Sequence, residues 1–234
     1  MDVTSVKSDF VTVRVVVLPA KDTHFADAIQ SGPMAYGRGT YQLKKIQPAV
    51  AFVKNKGTAL DIGAHVGLWS MILSRQFEEV HAFEPVPIHL ACFKANLYDR
   101  RNVHVHPVAL GSQNGIVSLN IEEANSGNTH VTPMGTKSAD PFAVNVHRLD
   151  VLVSEMGINK AQFIKIDVEG YELEVVKGAE KYIRDCKPVM VVEQKRSYSN
   201  RYASYDGQVI ELLKAWGAQV MWTMNGDYCL KWRD

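Results

Sequence analysis

Cysteine is scarce in this chain. The three residues, Cys92, Cys186 and Cys229, are scattered and lack C-x-x-C spacing. That excludes a disulfide-stapled scaffold, and the pattern reads as free thiols in a reducing compartment. Nothing in the residues around them points to a lowered thiol pKa. No apolar run is long enough to cross a bilayer. Neither sign of charge dominates: 26 Lys and Arg face 25 Asp and Glu, for a formal net charge of +1. Bulk electrostatics therefore gives no reason to expect nucleic acid or a membrane as partner, although a local basic patch is compatible with it. A secretory leader is not expected. Asp2 and Asp9 stand where a basic region belongs, and Arg14 interrupts the apolar run, so the chain reads as cytoplasmic. Internal repeats, low-complexity tracts and a G-x-G-x-x-G fingerprint are all missing.

What is present is an ordinary globular composition, 46% hydrophobic and 22% charged over 234 residues. One domain with some elaboration is the default at this length. Residues 1–56 read as an N-terminal strand and helical cap. They comprise a strand over Phe10–Leu18, a short helix capped by Asp22 or Thr23, and a helix over Thr40–Val53 kinked at Pro48. From residue 57 to 234 strands alternate with helices. Strands are predicted near 58–61, 80–84, 103–107, 162–167 and 188–193, and helices near 66–76, 87–99, 149–156, 172–184 and 206–216. This alternation predicts a mainly parallel sheet covered on both faces, a Rossmann-like three-layer α/β sandwich. Gly115–Ile121 adds a strand, Glu122–Pro141 is irregular, and Asn225-Gly226 marks a C-terminal hairpin.

Two stretches carry chemistry. Leu60-Asp-Ile-Gly-Ala-His-Val-Gly67 places an acid at a strand end, glycines in the turn and a helix N-terminus beyond. Glycine permits positive φ and close backbone approach, and the helix N-terminus suits an anionic group. About twenty residues on, by the usual spacing of a ribose-binding acid, Glu84 closes a second strand in Val80-His-Ala-Phe-Glu-Pro85. One acid at the turn and one placed for a ribose suit a cationic nucleoside that carries an amino acid, S-adenosylmethionine, better than a dinucleotide. In the other stretch, Phe163–Glu172, Asp167, Glu169 and Glu172 gather about a strand-to-helix turn. Glu172 reads equally well as a helix-capping or surface acid. Ligands of such sheets bind beyond the strand carboxyl ends, so Asp61, Glu84 and Asp167 should meet along one rim.

Asp167 and Glu169 are the first candidates for a proton acceptor or for orienting a hydroxyl, with His130 in the irregular loop as a second. Lys165 and Glu193 are candidates for a buried ion pair. Asp167 and Glu193 could also present oxygens to magnesium, but two carboxylates are a weak signal and no metal is assigned. His104 and His106 share one strand face without an apparent third ligand, which favours packing or surface roles. Arg38, with Tyr36 and Tyr41 near it, could reach a cofactor carboxylate. Lys195, Arg196, Arg201, Tyr198, Tyr202 and Tyr205 could hold a sugar or phosphorylated acceptor, or form a solvated loop.

D-I-G-A-H-V-G, H-A-F-E-P, V-A-L-G at Val108–Gly111 and F-I-K-I-D-V-E-G-Y-E together resemble the FkbM family of S-adenosylmethionine-dependent methyltransferases, over roughly residues 57–195. The resemblance implies a seven-stranded class I methyltransferase sheet with an antiparallel last pair, and methyl transfer most often to a hydroxyl oxygen. It also implies that Asp61, Gly63, Ala64 and Gly67 line the methionine moiety. Glu84 with Pro85 would take the ribose, Val108 and Ala109 the adenine, and Asp167 would lie near the sulfonium and the substrate. His65 departs from the family, which usually has Asn there. A neutral imidazole could hydrogen-bond the cofactor, while a protonated one would repel the sulfonium and weaken binding at low pH. The leading reading is O-methylation of a hydroxyl on a small molecule or glycan. An N-methyltransferase is disfavoured because Asp167-Val-Glu-Gly170 replaces an Asn/Asp-Pro-Pro-Tyr-like motif. A non-catalytic cofactor-binding module and an NAD-dependent dehydrogenase are the remaining rivals. The sequence leaves oligomeric state open.

Overall fold

The computed structural model describes residues 9–132, 142–195, 202 and 207–233. The N-terminal section contains β1 (Phe10–Val13), β2 (Val16–Pro19), α1 (Thr23–Ser31), β3 (Met34–Ala35), β4 (Arg38–Gly39) and α2 (Leu43–Val50). It is followed by β5 (Thr58–Ile62), α3 (Leu68–Leu73), β6 (Glu79–Phe83), α4 (Pro87–Asn96) and β7 (Val103–His106). Next come β8 (Ala109–Leu110), β9 (Gly115–Asn120), a 3-10 segment over Glu123–Asn128, β10 (His130–Val131) and β11 (Phe142–His147). The last part holds α5 (Leu149–Glu155), β12 (Ala161–Ile166), α6 (Glu172–Gly178), α7 (Glu180–Cys186), β13 (Val189–Glu193), α8 (Gln208–Ala215), β14 (Ala218–Met224) and β15 (Asp227–Trp232).

Seven strands form the main sheet in the order β14-β15-β13-β12-β5-β6-β7. Neighbours from β7 through to β13 run parallel, and β15 is antiparallel to both β13 and β14. This is the predicted α/β architecture, and the Asn225-Gly226 turn closes the final hairpin with both residues at positive φ. Alternate residues feed the two faces. Leu60, Ile62, Ile164, Ile166, Met190 and Val192 pack with α5, α6, α7 and α8 on one side. Ala59, Phe163, Val189 and Val191 pack with α2 and α3 on the other. From β5 the chain winds outward through β6 and β7, then returns to β12 on the opposite side of β5. The strand order therefore reverses between β5 and β12, the place where open α/β sheets bind ligands.

The N-terminal elements lie against this sheet and its helices. Ile46, Ala49 and Val50 of α2 are buried against it, and the Asn96 side chain on α4 both accepts from Val17 N and donates to Val17 O. Lys45 of α2 pairs with the buried Asp227 of β15. Asp22 caps α1 by accepting from Phe25 N at 2.9 Å.

Three expectations need correction. Phe10–Leu18 is a hairpin, not one strand: β1 and β2 pair antiparallel about Arg14 and Val15, both at positive φ. A two-residue hairpin turn demands that conformation, usually from Gly or Asn, and neither residue signals it. The helix predicted over 172–184 breaks at Ala179 (φ −116°) into α6 and α7. At Gly178 an added Cβ would lie 1.9 Å from Gly111 O, so the backbones touch there. Phe142–His147, unread in the sequence, is the strand β11, which joins β8, β9 and β10 in a second sheet.

His104 and His106 do have a third histidine beside them, contributed by the neighbouring strand. His81 stacks on both, with ring centroids at 5.0 and 5.3 Å, and its Nδ1 lies 3.0 Å from His106 Nε2. Burial lowers the pKa of His81 and brings that of His106 to about 4. All three cysteines are free, and burial pushes the thiols of Cys92 and Cys229 up to about 12. No described helix is long and apolar enough to cross a membrane.

Candidate active site

Two adjoining cavities open at the carboxyl ends of β5, β6 and β12. The first, about 630 Å³ including its open mouth, has apolar walls from Ile62, Phe83, Val86, Leu110, Leu119 and Val168, with Glu84 and Pro85 among its lining residues. The second, about 500 Å³, is polar: Lys165, Asp167, Glu169, Glu193 and Lys195 line it beside Tyr41, Gln42 and Trp69. Gly63, His65, Gly127, Asp167 and Glu169 line both.

The turn after β5 forms the shared wall. Gly63 N and Ala64 N both donate to Phe83 O, at 3.0 and 3.1 Å, and hold the turn over the end of β6. Gly63 has φ +74°, and a Cβ there would sit 1.9 Å from Asp167 O. The absence of a side chain thus lets the ends of β5 and β12 close on each other. Gly67, also at positive φ, lines neither cavity. A Cβ on it would strike Leu97 and Phe93, so its smallness serves the packing of α4. Ala64 lines the second cavity, whereas Pro85, Val108 and Ala109 line the first.

Glu84 is 5% exposed and takes three of the roughly four hydrogen bonds that a carboxylate can accept. It accepts from His65 N (2.9 Å), Val86 N (2.9 Å) and His89 Nδ1 (3.2 Å), which fix its carboxylate at the edge of the first cavity. His89 carried no signal beyond its place in a predicted helix.

Asp61, expected to line the methionine moiety, lines neither cavity. It is fully buried, accepts from Ser70 Oγ at 2.6 Å, and has Lys165 Nζ at 3.4 Å. Lys165 also donates to Gly63 O at 2.6 Å and lies 3.9 Å from Asp167. The expected Lys165–Glu193 pair is therefore replaced. Lys165 stands in register with Asp61 across β12 and β5, and Glu193 pairs with Lys195 at 2.7 Å. Burial alone would lower the pKa of Lys165, but Asp61 and Asp167 raise it above the ordinary lysine value, so the ammonium stays charged.

Asp167, Glu169 and Glu193 present oxygens within 4.8 Å of one another. Burial, then the neighbouring charges of Asp167 and Glu169, push the Glu193 carboxyl up, while Lys195 pulls it down. That spacing could admit a divalent cation, but Lys195 on Glu193 and Lys165 beside Asp167 already place positive charge against the acids. Glu172 is buried and accepts from Val168 N and Gly170 N, both at 3.0 Å. It braces the turn on which Glu169 (φ +55°) and Gly170 (φ +105°) sit. Neither the capping nor the surface role left open for it is found: the side chain is buried, its bonds go to the turn before α6, and the cap residue Tyr171 makes no side-chain capping hydrogen bond.

His130 lines the first cavity and not the second, with Nδ1 donating to Asn128 O at 2.8 Å. His65 lines both, its Nε2 2.6 Å from Ser126 Oγ. Burial, with His89 and Lys165 nearby, holds its pKa well below 6.5. That direction favours the neutral imidazole over the charged ring whose repulsion of a sulfonium was anticipated at low pH. Arg38 points away from the cavities and donates to Asn96 O, and Tyr36 packs under Arg75. Tyr202 donates to Val131 O at 2.5 Å and its ring meets that of Tyr171. Arg196, Tyr198, Arg201 and Tyr205 lie outside the described residues. Ser126 and Gly127, hidden within a polar irregular stretch, were not legible as site residues.

A model of the FkbM methyltransferase domain matches residues 61–220. Methyltransferase 1 of Beauveria bassiana is 26% identical over 156 residues, covering 57% of this chain and 63% of its own. A hexuronic acid methyltransferase, AglP of Haloferax volcanii, is 31% identical over 134 residues, covering 56% and 53%. The chain thus spans less than two thirds of the length of these curated relatives. Among solved structures, a methyltransferase FkbM from Methylobacillus flagellatus aligns with a TM-score of 0.49 at 20% identity, covering 75% of this chain and 43% of that one.

Proposed function

The chain belongs to the FkbM methyltransferase domain family, and from that premise we propose that it is an S-adenosylmethionine-dependent O-methyltransferase acting on a hydroxyl of a small molecule, sugar or glycan. The observation that carries this reading is the pair of cavities with one common wall. The first combines apolar faces with a fixed carboxylate, which suits a nucleoside: Val108, Ala109 and Leu119 against the base and Glu84 toward ribose hydroxyls. The second carries both signs of charge, which suits the zwitterionic amino-acid end, through Gly63, Ala64 and Lys165. Two buried atoms without a hydrogen-bond partner among the described residues, Nδ1 of His65 at the junction and Oε2 of Glu193 in the second cavity, are consistent with a polar ligand there.

When bound, S-adenosylmethionine supplies a methyl group on a sulfonium, with a neutral thioether as leaving group. The protein's part is to align the acceptor and remove its proton, since a sugar hydroxyl is weakly nucleophilic at pH 7. Asp167 and Glu169 lie where the cavities meet and present oxygens for that proton. Lys165 holds Asp167 in place while staying charged. Tyr41, Trp69 and Lys195, around the second cavity, offer the stacking and cationic contacts that a sugar acceptor uses. The hexuronic acid named for the Haloferax relative is a sugar that carries hydroxyl and carboxyl oxygens. The test is incubation with methyl-labelled S-adenosylmethionine and a panel of sugars, uronic acids, other hydroxyl compounds and amines. Label is expected in a hydroxyl compound. Transfer confined to amines would refute the oxygen assignment.

A further inference from the structure

Three segments distant in sequence meet at Ser126. Its Oγ contacts Asp22 Oδ2, from the cap of α1, and lies 2.6 Å from His65 Nε2, from the turn after β5. Asp22 is 1% exposed and Ser126 3%. The other oxygen of Asp22 is taken by Phe25 N, and Ser126 N also donates to Oδ2 at 3.3 Å. The imidazole is clamped between two rings, with centroids 4.7 Å from Phe25 and 4.4 Å from His89.

This chain of contacts contains one hydroxyl proton. A carboxylate only accepts, so the serine proton goes to Asp22. The serine oxygen must then accept from His65, which places the imidazole proton on Nε2 and leaves Nδ1 as a bare lone pair. That atom is buried with no partner among the described residues. An unmatched buried acceptor carries a desolvation cost that a hydrogen-bond donor would relieve. We infer that Ser126, set by Asp22, is a positioning residue that fixes His65 as the Nε2–H tautomer, so that Nδ1 accepts from an N–H or O–H group of the methyl donor. The ligand half of this inference rests on the methyl-donor reading above, while the tautomer half does not. The lowered pKa of His65 agrees with a singly protonated ring. The arrangement also gives a physical reason for histidine at this place: its side chain joins the cap and the loop to the donor turn.

The test is nitrogen-15 NMR of histidine-labelled protein without ligand, with the His65 signals assigned by their loss in His65→Gln. The wild type is expected to show Nε2 protonated and Nδ1 bare. Asp22→Asn keeps a competent helix cap. The 2.9 Å bond from Phe25 N keeps the amide oxygen and sets the amide nitrogen against Ser126 Oγ, at the expense of the weaker 3.3 Å bond from Ser126 N, so the serine proton turns to His65 and the tautomer reverses to Nδ1–H. S-adenosylhomocysteine affinity should fall about tenfold in that variant, the scale of one hydrogen bond. Ser126→Thr, which keeps the hydroxyl, should retain both tautomer and affinity. If 5′-methylthioadenosine suffers the same loss as S-adenosylhomocysteine, the partner is a ribose hydroxyl; if it does not, the partner is the α-ammonium. A wild-type Nδ1–H tautomer, or an unchanged tautomer in Asp22→Asn, would overturn the relay. Reversal of the tautomer with unchanged affinity would overturn the role in binding. A wild type that binds no S-adenosylhomocysteine would refute the donor reading and the ligand half with it, leaving the relay judged by its spectrum.

Discussion

The backbone N–H of His65 donates to Glu84 Oε2 at 2.9 Å. Through that bond the turn after β5 holds the acid that ends β6, so the two halves of the first cavity cannot move independently. A residue with φ +52° makes the bond, in a region where His, Asn and Asp are more tolerated than most side chains. Strain at the turn and placement of the acid are therefore linked.

The glycine beside it is the tightest point of the rim. Gly63→Ala would force a Cβ to 1.9 Å from Asp167 O at φ +74°. A stability loss of at least about 2 kcal/mol is expected by urea unfolding, beyond the cost of the backbone conformation alone. Gly157→Ala provides the control: its φ is +65°, but nothing lies within 4 Å of the added atom. Equal losses in the two variants would show that the close approach at Gly63 is unimportant.

Asp167→Asn and Glu169→Gln should separate binding from turnover. Each variant is expected to bind S-adenosylhomocysteine within a few-fold of wild type and to transfer methyl about a hundredfold more slowly or worse, the usual scale of losing a general base. Steady-state rates with an identified acceptor, alongside calorimetry, decide it. Full activity in both variants would remove these acids from the chemistry.

Glu172 makes stability depend on pH. Burial raises its carboxyl from 4.5 to about 7, despite two backbone N–H bonds that favour the charge. A folded pKa above the unfolded one means that the native state binds the proton more tightly. The associated stability is fully present below about pH 4.5 and is lost as pH rises through about 7. The effect is on the order of 1–3 kcal/mol. Glu172→Gln keeps the acceptor oxygen and should flatten this part of the curve in denaturation measured between pH 5 and 8. A slope as steep as that of wild type would assign the dependence to other groups.

Much of this arrangement was legible in the residues because it is local. Asp61, Gly63 and Glu84 announce themselves as strand ends and turns, and the strand–helix alternation yields the sheet. Other features depend on pairing across the sheet or between distant loops. Lys165 chose Asp61 over Glu193 because register sets them side by side, and register is not written in either strand alone. The contact of Asp22 with Ser126 joins residues 104 apart, and a serine among Asn, Gly and Thr has no local mark. The Arg14–Val15 turn was missed for the opposite reason: local preference argues against it, and the paired strands impose it.

The central claim, that the first cavity holds the nucleoside of a methyl donor against Glu84, is tested most directly by calorimetry with S-adenosylhomocysteine on the wild type and on Glu84→Ala. The account predicts one-to-one binding by the wild type, weakened by about 1–3 kcal/mol in the variant, the scale of hydrogen bonds to a charged group. No binding by the wild type, or equal affinity in the two proteins with the variant folded, would contradict it.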